Sequence, residues 1–226
     1  MFRSLIFAMV AFLVISCSTP PQRLNVVDLR SRAERGDNAA AVGMGLLYEG
    51  GVEVQRNLEE SAKWYRVAAE RGFPEAQNSL GSMYQAGEGV PRDYAEAIRW
   101  YSLAADQGHA VAARNLGYVH DLGLGVPEDN PRAADLYTKA AEKGDIQAMV
   151  NLGIMLGQGE KGVQRDVVRG FMWLDLARFY TQWSKDMKLK WSARGALDQL
   201  KKQMTPQQIA QGEELTREWD AAHRTK

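Results

Sequence analysis

The chain of 226 residues holds a single cysteine, Cys17, so no disulfide can form within it and oxidative stapling contributes nothing to its fold. Histidine is almost as scarce: only His109, His120 and His223 titrate near neutral pH by default. Charge of one sign is missing too, because 28 basic residues face 28 acidic ones, and a nucleic-acid partner would call for a basic excess. No apolar run reaches the ~20 residues of a bilayer-spanning helix. The longest, Leu5 to Ile15, has eleven. Catalytic signatures are absent as well: there is no His-Glu-x-x-His, Gly-x-Ser-x-Gly, Cys-x-x-Cys or phosphate-binding loop with its lysine. The three histidines fall at a repeat boundary, at a tyrosine position and in the tail, so they read as satisfied or solvated side chains. The expectation is a protein with no metal, no cofactor, no small-molecule substrate and no enzymatic activity.

What the chain does have is a period. Gly36, Gly72, Gly108 and Gly144 stand 36 residues apart, and Leu80-Gly81, Leu116-Gly117 and Leu152-Gly153 keep the same spacing after Met44-Gly45. Ala68-Ala69, Ala104-Ala105 and Ala140-Ala141 follow suit, as do Trp64-Tyr65, Trp100-Tyr101 and Leu136-Tyr137. The fourth unit carries one extra residue in its turn, at Gly159-Glu160-Lys161-Gly162, after which Trp173-Leu174 takes the Trp-Tyr position. In the second unit Ala76, Leu80, Met83 and Tyr84 have helical spacing, and Gly87 to Pro91 breaks the helix. Asp93 is placed to cap a second helix, whose apolar stripe is Ala97, Trp100, Tyr101, Ala104 and Ala105, and Gly108 ends it. Each unit is therefore an antiparallel helix pair that buries its apolar face only by stacking on neighbours. The clusters Gly87-Glu88-Gly89 and Gly123-Leu124-Gly125 follow helices and recur, so they read as turns and not nucleotide loops. Trp64, Trp100 and Trp173 keep a fixed place on the apolar stripe and read as core.

The second unit, Glu75 to Tyr101 (EAQNSLGSMYQAGEGVPRDYAEAIRWY), resembles the Sel-one-like repeat (SLR) consensus almost throughout. That family is a relative of the tetratricopeptide repeat, and the resemblance covers residues 37–180. It implies an all-α fold: a right-handed superhelical α-solenoid of antiparallel helix pairs, about four units, with C-terminal capping helices. Residues 27–36 match the end of a second helix and read as an N-terminal half-repeat cap. Beyond Tyr180 the period stops, and residues 181–226 read as the C-terminal capping helices. Trp183, Met187 and Trp191, four apart, mark the apolar side of one helix continuing through Leu197 and Leu200. Thr205 and Pro206 open another, with Ile209, Leu215 and Trp219 on its apolar side. Lys185, Lys188, Lys190, Lys201 and Lys202 read as a solvated helix face, with anionic lipid or polysaccharide as the alternative.

The N-terminus, one basic residue and then the apolar run, has the layout of a secretory signal peptide over residues 1–16. Val14-Ile15-Ser16-Cys17 resembles the bacterial lipobox. That resemblance implies that Cys17 carries a diacylglyceryl group and an acylated amine, and two or more chains suffice for stable anchoring. Removing residues 1–16 takes Arg3 with it, leaving 27 basic and 28 acidic residues. Residues 17–26, with Pro20-Pro21, read as a short stiff tether. Ser18 stands where an inner-membrane retention signal typically has Asp, which by resemblance to Gram-negative lipoproteins implies an outer-membrane address facing the periplasm.

In relatives of this fold the first helices line the concave surface. Helical spacing places Leu46, Asn78, Ser82, Arg114, Tyr118, Val150 and Ile154 on that line, with Val42, Glu75, Gln85, Val111, Asp121 and Gln147 beside them. Four apolar side chains in one groove suit a bound protein or peptide segment; the alternative is burial by the array's own curvature or by its tail. The expected function is a membrane-tethered periplasmic adaptor that binds partner proteins there. Two alternatives remain: a β-lactam-binding or β-lactam-hydrolysing secreted repeat protein, whose relatives carry paired cysteines that this chain lacks, and a surface-exposed host-interaction lipoprotein.

Overall fold

The computed structural model describes residues 25–182 and 184–223; the expected signal segment, Cys17 and Trp183 lie outside the described residues. Among the described residues the secondary structure is helical throughout, as the period requires. The helices are α1 (Val26–Glu34), α2 (Asn38–Gly50), α3 (Leu58–Glu70), α4 (Pro74–Ala86), α5 (Tyr94–Asp106), α6 (Ala110–Asp121), α7 (Asn130–Glu142), α8 (Ile146–Gln158), α9 (Val167–Thr181), α10 (Met187–Lys201) and α11 (Pro206–His223). They fall into two compact units, Met1–Gln107 and Gly108–Lys226.

Local chemistry sets the helix starts. Asn57, Asp93, Asp129 and Asp166 cap the second helix of each pair, their side-chain oxygens accepting from the first free backbone N–H groups. The backbone N–H of each cap reaches back to the helix before it: Asn57 to the Tyr48 carbonyl at 2.9 Å, Asp93 to Tyr84 at 3.0 Å, Asp129 to His120 at 2.9 Å and Asp166 to Leu156 at 2.8 Å. Each turn is thereby tied at both ends. Gly89 shows why the turn needs glycine: its φ is +70°, and a Cβ there would lie 2.1 Å from the Leu58 carbonyl oxygen.

Within the first unit the core is Met44, Leu47, Tyr65, Leu80, Met83 and Trp100 with interleaved alanines. In the second, Leu116, Tyr137, Met149, Leu152, Phe171 and Trp173 are buried. Each such side chain contributes roughly 1.5–3 kcal/mol by leaving water. Trp64 is only half-buried, although it packs against the first core.

Close helix approach within a pair rests on one glycine under one ring. A Cβ on Gly45, Gly81 or Gly117 would fall 2.6, 2.8 or 2.9 Å from the ring of Tyr65, Tyr101 or Tyr137 respectively. The last pair is built differently. Leu174 replaces the tyrosine, and a Cβ on Gly170 would meet the Gly153 carbonyl oxygen and the Gly157 nitrogen, both at 2.9 Å.

The tail packs on this last pair. Leu200 of α10 lies over Gly157, and Gly212 of α11 lies against the Phe171 ring. Trp219 makes an edge contact with Trp173 at 5.5 Å and stacks on His223 at 3.9 Å. Thr205 caps α11 reciprocally with Gln208. The apolar side of α10 is the expected one at Leu197 and Leu200 but not at Met187 and Trp191. Its buried residues are Ala193, Leu197 and Leu200, whereas Met187 and Trp191 are 54% and 67% exposed. Two apolar stripes share this helix, and only one of them faces the core.

Candidate partner-binding surface

The expected lining residues separate into distinct environments. In the first unit, Leu46 and Val42 on α2 are half-buried and pack against the core, so they are not a free apolar surface. Asn78 on α4 is half-buried and Ser82 is exposed. Gln85 is no open-face residue: its side-chain oxygen accepts a hydrogen bond from the Tyr101 hydroxyl at 2.9 Å. Asp121 does the same for Tyr137 at 3.0 Å in the second unit, as Glu49 does for Tyr65 at 2.6 Å in the first. These acceptors belong to the helix-pair packing.

The second unit holds the exposed apolar stripe. On α6, Val111, Tyr118 and Leu122 are 36%, 41% and 52% exposed. At 100° per residue these three positions fall within about 40° of one another. Leu122 escaped the sequence reading because it stands one residue past the helix; its separation of four from Tyr118 was the available signal. Arg114 borders the stripe, and its Nε donates to Asp145 Oδ2 at 3.0 Å. Asp145 in turn caps α8 by accepting from the Ala148 N–H. Arg114 is thus fixed by a mostly buried ion pair that joins α6 to the start of α8.

On α8 the expectation fails for Val150, which is 1% exposed and cannot line a surface. Ile154 is half-buried and borders a cavity of about 210 Å³ shared with Leu174, Ala196, Gln199 and Leu200. That volume is below the ~300 Å³ at which small-molecule sites begin. The tail has covered this part of the line.

Titratable groups cluster at the turns of the second unit. Burial raises the Asp121 carboxyl above the usual range, with Glu128 adding to the rise. Burial also raises Glu160, assisted by the charges of Asp121 and Glu128. Asn130 donates from Nδ2 to Glu128 at 3.1 Å and to Glu160 at 3.3 Å, holding the two carboxylates on either side of it. Burial depresses His120, and Arg132 depresses it further. His109 is a helix cap, its Nδ1 accepting from the Ala112 N–H. Among the described residues no grouping of three His, Cys, Asp or Glu side chains has a metal-holding arrangement. No described helix is long and apolar enough to cross a membrane.

Comparison with known proteins agrees with the repeat geometry. Residues 38–73, 74–109, 110–145 and 146–178 each match the Sel1 repeat. A Sel1 repeat protein from Oxalobacter formigenes is 30% identical, over 79% of this chain and 78% of its own, with a TM-score of 0.64. Cysteine rich protein B of Helicobacter pylori is 21% identical, over 57% of this chain and 97% of its own, with a TM-score of 0.45. A protective antigen with an SLR fold from uropathogenic Escherichia coli strains is 22% identical, over 87% of this chain and 63% of its own, with a TM-score of 0.34. No curated protein matches. With four matched repeats, each folded as a helix pair on the same glycine and capping grammar, the chain belongs to the Sel1 repeat family.

Proposed function

We propose that this protein is a membrane-tethered adaptor of the cell envelope, which holds a partner protein or peptide against the open face of its first helices. Sel1 repeat proteins generally mediate protein–protein interaction and are typically non-catalytic. The observation that carries the reading for this chain is the stripe Val111, Tyr118 and Leu122 on α6. Three large apolar side chains left half in water on one helix face gain most from a partner that covers them. Arg114, held at the rim by Asp145, supplies a fixed cation for an acidic or carbonyl group of that partner. The tether is Cys17, acylated after removal of residues 1–16, and the address is the outer membrane facing the periplasm.

A photo-crosslinking residue at position 118, compared with one at exposed Lys139 on α7, tests the binding face in cells. A discrete crosslinked protein from position 118 alone, lost in Leu122→Ser, is the expected result. Equal or absent products from both positions would remove α6 from the proposal. Incorporation of labelled fatty acid by the wild type and not by Cys17→Ser tests the tether separately.

A further inference from the structure

Residues 185–202 carry six basic side chains and two acidic ones, whereas the rest of the chain holds 22 basic and 26 acidic residues. The acidic pair is occupied: Asp186 caps α10 by accepting from the Leu189 N–H, and Asp198 lies 4.0 Å from Arg194. Of the six cations, Lys201 sits over the Phe171 ring, and Lys190 donates to the Gln182 carbonyl. Lys185, Lys188 and Arg194 are exposed around Met187 and Trp191.

Helix geometry gives this cluster an orientation. Ala193, Leu197 and Leu200 face inward, and at 100° per residue Trp191 projects from nearly the opposite side, with Met187 about 40° away. Lys188 and Arg194 flank Trp191 on either side. Among the described residues, a Cβ on Gly195 beside Trp191 would meet nothing within 4 Å. Trp191 is 67% exposed, more than any other described large apolar residue of the second unit.

We propose that the outward face of α10 is a contact site for an anionic phospholipid surface, with Trp191 and Met187 entering the interfacial layer and Lys185, Lys188 and Arg194 meeting headgroup phosphates. An indole on an amphipathic helix, ringed by cations and backed by a folded core, suits that layer, in which one end of a side chain is apolar and the other wet. The lysines around this pair disfavour the centre of a protein interface, where charged residues are depleted. The net positive charge of the segment supplies the complement to an acidic leaflet. This contact would lay the array against a membrane independently of the lipid on Cys17.

The test uses the full chain with Cys17→Ser, so that no arm depends on acylation and failure leaves the tether untouched. An environment-sensitive fluorophore is placed at Ser192→Cys, beside Trp191, and in a second protein at Ser82→Cys on α4. Vesicles of phosphatidylcholine mixed with phosphatidylglycerol should blue-shift the label at position 192 and leave position 82 unchanged. Phosphatidylcholine alone should shift neither. With ~5-fold in binding per basic side chain near an acidic surface, Lys185→Glu with Lys188→Glu should weaken the partition at least ~25-fold. Trp191→Ser should abolish the shift while thermal unfolding stays unchanged. No shift with the acidic vesicles, or an equal shift with neutral ones, would overturn the proposal. A shift that grows with protein concentration in the absence of vesicles would assign this face to a second copy of the chain instead.

Discussion

The first three helix pairs and the fourth solve one packing problem in two ways. In α2/α3, α4/α5 and α6/α7 a glycine lies under a tyrosine ring, and the hydroxyl donates to Glu49, Gln85 or Asp121. In α8/α9 both partners are gone: Leu174 stands for the tyrosine and Gly157 for the acceptor. A third change accompanies them. The position occupied by Ser61, Ala97 and Ala133 becomes Gly170, so that the backbones of α8 and α9 touch. A polar pair at the rim suits a helix whose outer edge stays wet. The last pair must receive Leu200 of α10 where the acceptor stood, and a smooth glycine surface receives it. The difference teaches that the end of the array is specialised for being covered, and not merely a repeat without a successor.

The largest effect should come from restoring the ordinary side chain to the last pair. Gly170→Ala places a methyl against backbone atoms that cannot rotate away, so it should destabilise by about 2–3 kcal/mol despite alanine's better helix propensity. Ala133→Gly, the reverse change in the third pair, should cost only about 1 kcal/mol. Denaturant unfolding of the two variants checks the contrast, and equal losses would break it.

Next come the tyrosines. Tyr137→Phe leaves Asp121 without its donor and should cost about 1–2 kcal/mol, because hydrogen bonds to charged acceptors are the stronger ones. Tyr101→Phe, with neutral Gln85 as acceptor, should cost about 0.5–1 kcal/mol. If the order reverses in thermal unfolding, the rim pairs are not what distinguishes the first three units.

The smallest effect concerns the extra turn residue of the fourth unit, which brings Glu160 near Asp121 and Glu128. Its folded-state pKa lies above the unfolded one, so the folded protein binds more protons between the two values. The destabilisation is therefore fully present above the folded pKa and is relieved as pH falls toward the unfolded value near ~4.3. Glu160→Gln, which keeps an acceptor for Asn130, should raise Tm by about 1–2 °C at pH 7 and by less near pH 4. A gain that grows on acidification would contradict the sign.

Much of this was legible in the sequence because it is local. Glycine turns, the Asp93 cap and the alternation of apolar residues each act within a few positions, and all reappear in the structure. The 16-residue spacing of Gln85 to Tyr101 and of Asp121 to Tyr137 was present too, but spacing alone does not reveal that a hydroxyl bridges two helices. The surface fared worse for a related reason. Val150 occupies the Arg114 position of the last pair, and only tertiary packing decides that it is buried while Tyr118 is not. On α10, Met187 and Trp191 compete with Ala193, Leu197 and Leu200 as the apolar side, and helical spacings of three or four fit both sets. Spacing and bulk put Met187 and Trp191 on one side with Leu197 and Leu200, although at 100° per residue they face away from them. Complementarity of Leu200 to Gly157 fixes which side faces the core.

Amide hydrogen exchange across α10 in Gly157→Asp, compared with wild type, tests this account most directly. A carboxylate at position 157 restores the acceptor of the internal pairs and occupies the seat of Leu200. Protection over residues 187–201 should collapse, while α2 to α7 exchange as before. Unchanged protection in α10 would show that its docking does not depend on the specialised last pair.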